Sequence, residues 1–150
     1  MKKLRILMFV IFTCAWPVVA ETWQDRCVAA VLIGEAGNQG TNGLLAIMEV
    51  IHNRVTLNGR TAYQNISKPK QFSCLNGTTP ELLYRKYRNH FMYSTALAIT
   101  ALPSTQMPGW TKGAVCFTRK TEKPSWSKRM NHVATIGDHA FYSLRTRKRT

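Results

Sequence analysis

Apolar positions in this chain recur at helical spacing through its first two thirds and at shorter spacing near its end. Thr22, with Asp25 three residues on, is a capping-box variant that opens a first helix. That helix runs through Val28, Val31 and Leu32 to the region of Gly34. A second helix is predicted over residues 43–55, where Leu44, Ile47, Met48, Ile51 and Val55 recur on one side while Glu49, His52 and Asn53 form a polar side. A polar stretch, residues 58–79, reads as a loop. Thr79 and Pro80 then supply the N-cap and N1 signals of a third helix, whose stripe of Tyr84, Tyr87, Phe91, Ala98 and Leu102 ends at Pro103. Beyond it the period changes. Residues 113–118, GAVCFT, and 139–144, HAFYSL, favour strands and are bounded by turn residues, with a loop containing a helical turn in KPSWSKRM between them. The expected fold class is α+β, helix-rich, with a small antiparallel β-sheet.

Composition alters the picture at the two ends. The chain has 150 residues, one domain's length, and 45% hydrophobic content, enough for a core. Its first twenty residues stand apart: Lys2, Lys3 and Arg5 precede the apolar run ILMFVIF, and VVA at 18–20 fits a signal-peptidase site, so cleavage is expected before Glu21. A membrane anchor suits this segment less, because its apolar span is short and Pro17 interrupts it. The expected organisation is a signal peptide at 1–20, a catalytic domain at 21–144 and a basic tail at 145–150. The product is expected to be exported, to the periplasm or to the cell wall outside. Without the leader the chain keeps 18 Lys and Arg against 7 Asp and Glu, a bias toward an anionic partner. Export argues against nucleic acid and for an anionic cell-envelope surface. Cys27, Cys74 and Cys116 allow at most one intramolecular disulfide. No metal site is expected, because CxxC, HxH and HExxH are all missing and His52, His90, His132 and His139 are scattered.

Glu35 ends the apolar run of the first helix. It follows Val28 and Leu32 at i+7, so it continues the inward stripe, an unusual address for a charge. Burial there favours a protonated carboxyl, the form a general acid needs to give a proton to a leaving oxygen. Gly34 and Gly37 flank it without side chains, leaving room for a polymer to approach. The competing reading is a carboxylate that caps a neighbouring helix or pairs with an arginine.

The ordered motifs GEAGNQG, AIMEVIHNRV, QFSC, GAVCF, PSW and IGDHAFY, spanning about Trp23 to Tyr142, resemble the catalytic domain of the SleB/CwlJ cell-wall hydrolase family. The resemblance implies a lysozyme-like, resuscitation-promoting-factor-like helical lobe with a small sheet. It also implies a peptidoglycan-cleaving enzyme without a cofactor, in which Glu35 is the catalytic acid. SleB-type members look like lytic transglycosylases, which cut between N-acetylmuramic acid and N-acetylglucosamine and leave a 1,6-anhydro ring; other members carry amidase labels. One departure matters: many relatives place a second Glu after GEA where this chain has Gln39. Of the remaining acids, Glu49 is the expected neighbour of Glu35, and this shortage of carboxylates favours transglycosylation over a two-carboxylate hydrolase.

Further cleft residues are expected at Phe72, Ser73, Phe117 and Thr118, with Trp126 or Tyr142 stacking on a sugar face. Glu49, Asn53 and Arg54 are candidates to reach the cleft from the second helix, and His139 to bond an acetamido group. The partners expected are peptidoglycan strands, met by a monomer. Two rival readings remain at this level. One is a cysteine amidase using Cys74 or Cys27 with His139 as base; the other is a cationic wall-binding module without activity.

Overall fold

The computed structural model describes residues 21–145, so the leader and the tail beyond Arg145 lie outside the described residues. Helix α1, Trp23–Ala36, begins at a complete capping box in which Thr22 and Asp25 satisfy each other's backbone N–H groups. It is the central helix, buried continuously from Cys27 to Ile33 and again at Ala36, and it packs against α2 (Gly40–Asn58), α3 (Ala62–Ile66), α4 (Pro80–Tyr87) and α5 (Tyr93–Thr100). A helix apolar on every side must be surrounded, so α1 has no solvated face for a stripe to define.

Three expectations change here. The third predicted helix is two, because the chain turns at residues 88–92: His90 Nδ1 accepts from Met92 N (3.2 Å) and His90 O accepts from Tyr93 N (2.8 Å). These local bonds replace helical ones and throw Phe91 outward, 83% exposed, off the stripe. The polar loop contains α3, opened by a capping box between Thr61 and Gln64. The second helix starts three residues earlier than expected, at Gly40, and closes on Gly59, whose φ of 68° is the left-handed cap that glycine accommodates.

The sheet has three antiparallel strands in the order β1 (Cys116–Arg119), β3 (His139–Leu144), β2 (Met130–Ile136). The expected helical turn in KPSWSKRM is a 3-10 turn at Ser125–Arg129, but the strand β2 that follows it was not anticipated. The β2–β3 hairpin turns on Gly137 and Asp138, and a bulge at Val133 shifts its register. The sheet joins the helices through Phe141, fully buried in the common core. Two side chains of α2 fix the strand-entry backbone: Asn53 Nδ2 donates to Ala114 O (2.8 Å) and Arg54 Nε to Val115 O (2.7 Å). The result is the α+β, helix-rich fold with a small antiparallel sheet. No helix among the described residues is long and apolar enough to cross a membrane.

Candidate active site

Glu35 sits in the last turn of α1, half-buried, where the helices meet the sheet. Its carboxylate is oriented by a 3-10 turn at Ser73–Leu75: Cys74 N donates to Oε1 (2.8 Å), and the Ser73 hydroxyl lies 3.2 Å from both oxygens. One hydroxyl proton can serve only one oxygen at a time, so Oε2 keeps acceptor capacity. Gly34 makes this contact possible. A Cβ there would stand 2.8 Å from Cys74 Cβ and 3.0 Å from its Sγ, so only glycine lets the turn lie this close to the helix. Gly34 thus serves packing and also lines the larger arm of the groove beside Glu35, whereas Gly37 is buried against Ile33 and leaves no room for a polymer.

A groove opens on both sides of Glu35. The larger arm, about 960 Å³, is lined by Phe72, Ser73, Phe117, Thr118, Trp126 and Arg54 among others; the smaller, about 310 Å³, by Asn38, Gln39, Lys120 and Asp138. Glu35, Arg119 and His139 border both arms, so the carboxylate stands at the junction. Lys70, Arg119 and Lys120 give the groove a cationic rim. Aromatic residues with a few convergent polar groups are the usual make-up of a ligand cleft of this size. Arg54 lies over the Phe72 ring, its guanidinium carbon 5.0 Å from the centroid, and burial lowers its pKa. Its Nη1 is buried without a hydrogen-bond partner among the described residues.

The structure therefore brings Glu35, Phe72, Ser73, Phe117, Thr118, Trp126 and His139 to one groove. Three expected cleft residues lie elsewhere. Glu49 is only 4% exposed and accepts from Gly109 N (2.6 Å), Trp110 N (3.2 Å), Thr111 N (2.8 Å) and Thr111 Oγ1 (2.6 Å), so it clamps a loop and is neither solvated nor a groove residue. Asn53 is committed to Ala114 O. Tyr142 lines neither arm; its ring stands behind the groove residue Trp126 and beside His132, with centroids 5.4 Å from each.

The sequence reading missed Glu122, which lines the larger arm and accepts from the Thr118 hydroxyl (2.9 Å), and Asp138, which lines the smaller arm and pairs with Lys120 (3.1 Å). Both arrive with sheet elements whose docking no local signal announces. Gln39 was noticed only as a departure from a motif, yet it links the lobes: its Oε1 accepts from Asp138 N (2.8 Å) and its Nε2 faces His139 Nδ1 (3.1 Å).

The thiols are poorly placed for nucleophilic work. Burial and the adjacent Glu35 push Cys74 well above the ordinary thiol range, and burial raises Cys27 to about 11. Neither hydrogen-bonds His139 among the described residues. Cys27, Cys74 and Cys116 are all unbridged.

A helical lobe presents Glu35 to a cationic groove that a small sheet closes, an arrangement that can hold an anionic chain molecule against an acid. The chain belongs to the cell wall hydrolase family, of SleB/CwlJ type: the family model matches residues 38–142. Among solved structures, the fold is similar to the catalytic domain of the Bacillus cereus SleB protein, at 22% identity and a TM-score of 0.55 over 83% of this chain and 94% of that one. No curated protein matches the sequence.

Proposed function

We propose that the protein is a peptidoglycan lytic transglycosylase with Glu35 as its acid and base. The observation that carries this reading is the position of Glu35 at the junction of the two arms, its carboxylate set by Ser73 and Cys74 while one oxygen keeps acceptor capacity. A glycan strand laid along the groove places its scissile bond at that junction. Protonated Glu35 gives its proton to the glycosidic oxygen as the bond to C1 of N-acetylmuramic acid breaks, which releases N-acetylglucosamine as the leaving alcohol. The sugar's own 6-hydroxyl then bonds to C1 and returns its proton to Glu35, so the ring closes as a 1,6-anhydro sugar and no water is consumed.

Phe117 and Trp126 offer faces for sugar stacking, and Lys70 and Arg119 offer counter-charges for stem-peptide carboxylates and other anionic wall polymers. The basic amino terminus and apolar run support export, hence action outside the cytoplasm. A second reading is favoured by one observation: Glu122 lines the same arm as Glu35, so a two-carboxylate hydrolysis has a candidate partner. The test compares wild-type protein with Glu35→Gln on purified peptidoglycan. Release of soluble glycan fragments by the wild type alone is expected; equal release by both proteins overturns the role of Glu35.

A further inference from the structure

We infer that His139 is a neutral hydrogen-bond donor to the N-acetyl carbonyl of the bound glycan, held in that state by Gln39 acting as a positioning residue. This rests on the groove being the glycan site. The geometry fixes the imidazole in two steps. Asp138 N donates to Gln39 Oε1 at 2.8 Å, which commits the amide oxygen of Gln39 to the β2–β3 turn. The amide nitrogen is thereby turned to His139 Nδ1 at 3.1 Å, and because it can only donate, Nδ1 must be the lone-pair nitrogen. The proton of the neutral ring then belongs to Nε2.

Flipping Gln39 offers no escape, since it would set its NH2 against the Asp138 N–H. The turn must carry glycine for the amide to sit here: a Cβ on Gly137 would stand 2.3 Å from Gln39 Oε1. Imidazolium, a donor at both nitrogens, would lose the Gln39 bond. Charged and titratable groups face the ring from several elements: Glu35 at the end of α1, Asp138 in the turn, Arg119 on β1 and Glu122 just after it. The acids favour imidazolium and Arg119 opposes it, but burial is the largest influence and the net direction is downward. The ring stands edge-on to Phe117, with centroids 5.2 Å apart, which holds its plane.

His139 is 6% exposed and borders both arms, and its Nε2 has no partner among the described residues. Of the neutral groups on an N-acetylated glycan, the amide carbonyl is the strongest acceptor, and a donor beside Glu35 would set the register of the strand against the acid.

The experiment is imidazole nitrogen NMR on the full chain, wild type and Gln39→Glu, with N-acetylglucosamine tetramer as the probe. In wild type the His139 signals should report the Nε2–H tautomer at neutral pH and a titration below the ordinary histidine range. In Gln39→Glu, a carboxylate accepts from Asp138 N and from Nδ1–H together, so the titration midpoint should rise by about one unit or more. Saturating tetramer should move the Nε2 signal of the wild type. A His139→Phe variant that keeps its melting temperature should bind tetramer about tenfold more weakly, the value of roughly one hydrogen bond. An Nδ1–H tautomer in wild type, a midpoint unmoved in Gln39→Glu, or an Nε2 signal indifferent to tetramer overturns the inference. Tetramer binding through His139 by a wild type that cleaves no peptidoglycan would refute the proposed reaction and leave this inference standing.

Discussion

Two glutamates, fourteen residues apart in sequence, meet the rest of the protein in opposite ways. Glu35, at the end of α1, takes one backbone N–H and a shared hydroxyl, and its carboxylate borders the groove. Glu49, in the middle of α2, takes three backbone N–H groups and a hydroxyl and is 4% exposed. Each carboxylate gathers a loop onto a helix. Only Glu35 has capacity left for another molecule, so the difference lies in saturation and access, not in residue type. A buried acid with every lone pair engaged is a structural clamp. An acid held on one side and open on the other can exchange a proton with a ligand.

The largest effect that tests this contrast is catalytic. Glu35→Gln can still accept from Cys74 N through its amide oxygen, so its stability should hold while activity on peptidoglycan falls about 10²- to 10⁴-fold, the usual worth of a general acid. A large loss of stability would make Glu35 a second clamp. Glu49→Gln should behave inversely. It sets an NH2 against backbone N–H donors, and denaturant titration should show a loss of about 3 kcal/mol with activity per folded molecule retained.

Gly34→Ala joins the two classes, because the new methyl pushes away the turn that carries Ser73 and the Cys74 N–H. About 2 kcal/mol of stability should be lost together with activity, and a loss of only one would separate packing from chemistry. Ser73→Ala removes a single hydroxyl contact to Glu35, for a fall of about tenfold or less in kcat/KM at nearly unchanged melting temperature.

The smallest effect is in pH. His52, whose Nε2 faces Leu102 O at 3.2 Å, and His139 are both lowered from the ordinary 6.5, chiefly by burial. The unfolded chain therefore binds protons that the folded one refuses. This stabilising contribution is complete above 6.5, declines as pH falls below it, and levels off once the folded imidazoles protonate. Melting temperature against pH, compared with His52→Gln, checks the direction.

The helix starts were legible because they are local. Thr22 with Asp25, and Thr79 with Pro80, act within one turn, and the structure uses both. The Thr61 and Gln64 box was equally local and marks a helix that a reading of residues 58–79 as loop passed over. The break at His90 depends on a side chain competing with helical bonds, which periodicity does not register. Glu35 was singled out through a stripe that α1, buried on all sides, does not have; its address comes from the helix ending where the sheet docks. Glu49 and Tyr142 were misplaced because their surroundings are assembled by segments distant in sequence: the 109–111 loop for one, Trp126 and His132 for the other. The groove residues contributed by the sheet, Glu122 and Asp138, share that origin.

Mass spectrometry of the fragments released from purified peptidoglycan bears most directly on the proton exchange assigned to Glu35. The account predicts glycan ends bearing 1,6-anhydro-N-acetylmuramic acid, lighter by one water than hydrolysed ends, and none from Glu35→Gln. Reducing N-acetylmuramic acid ends would contradict it and point to Glu122 as a second carboxylate, while free stem peptides would place the cut outside the glycan altogether.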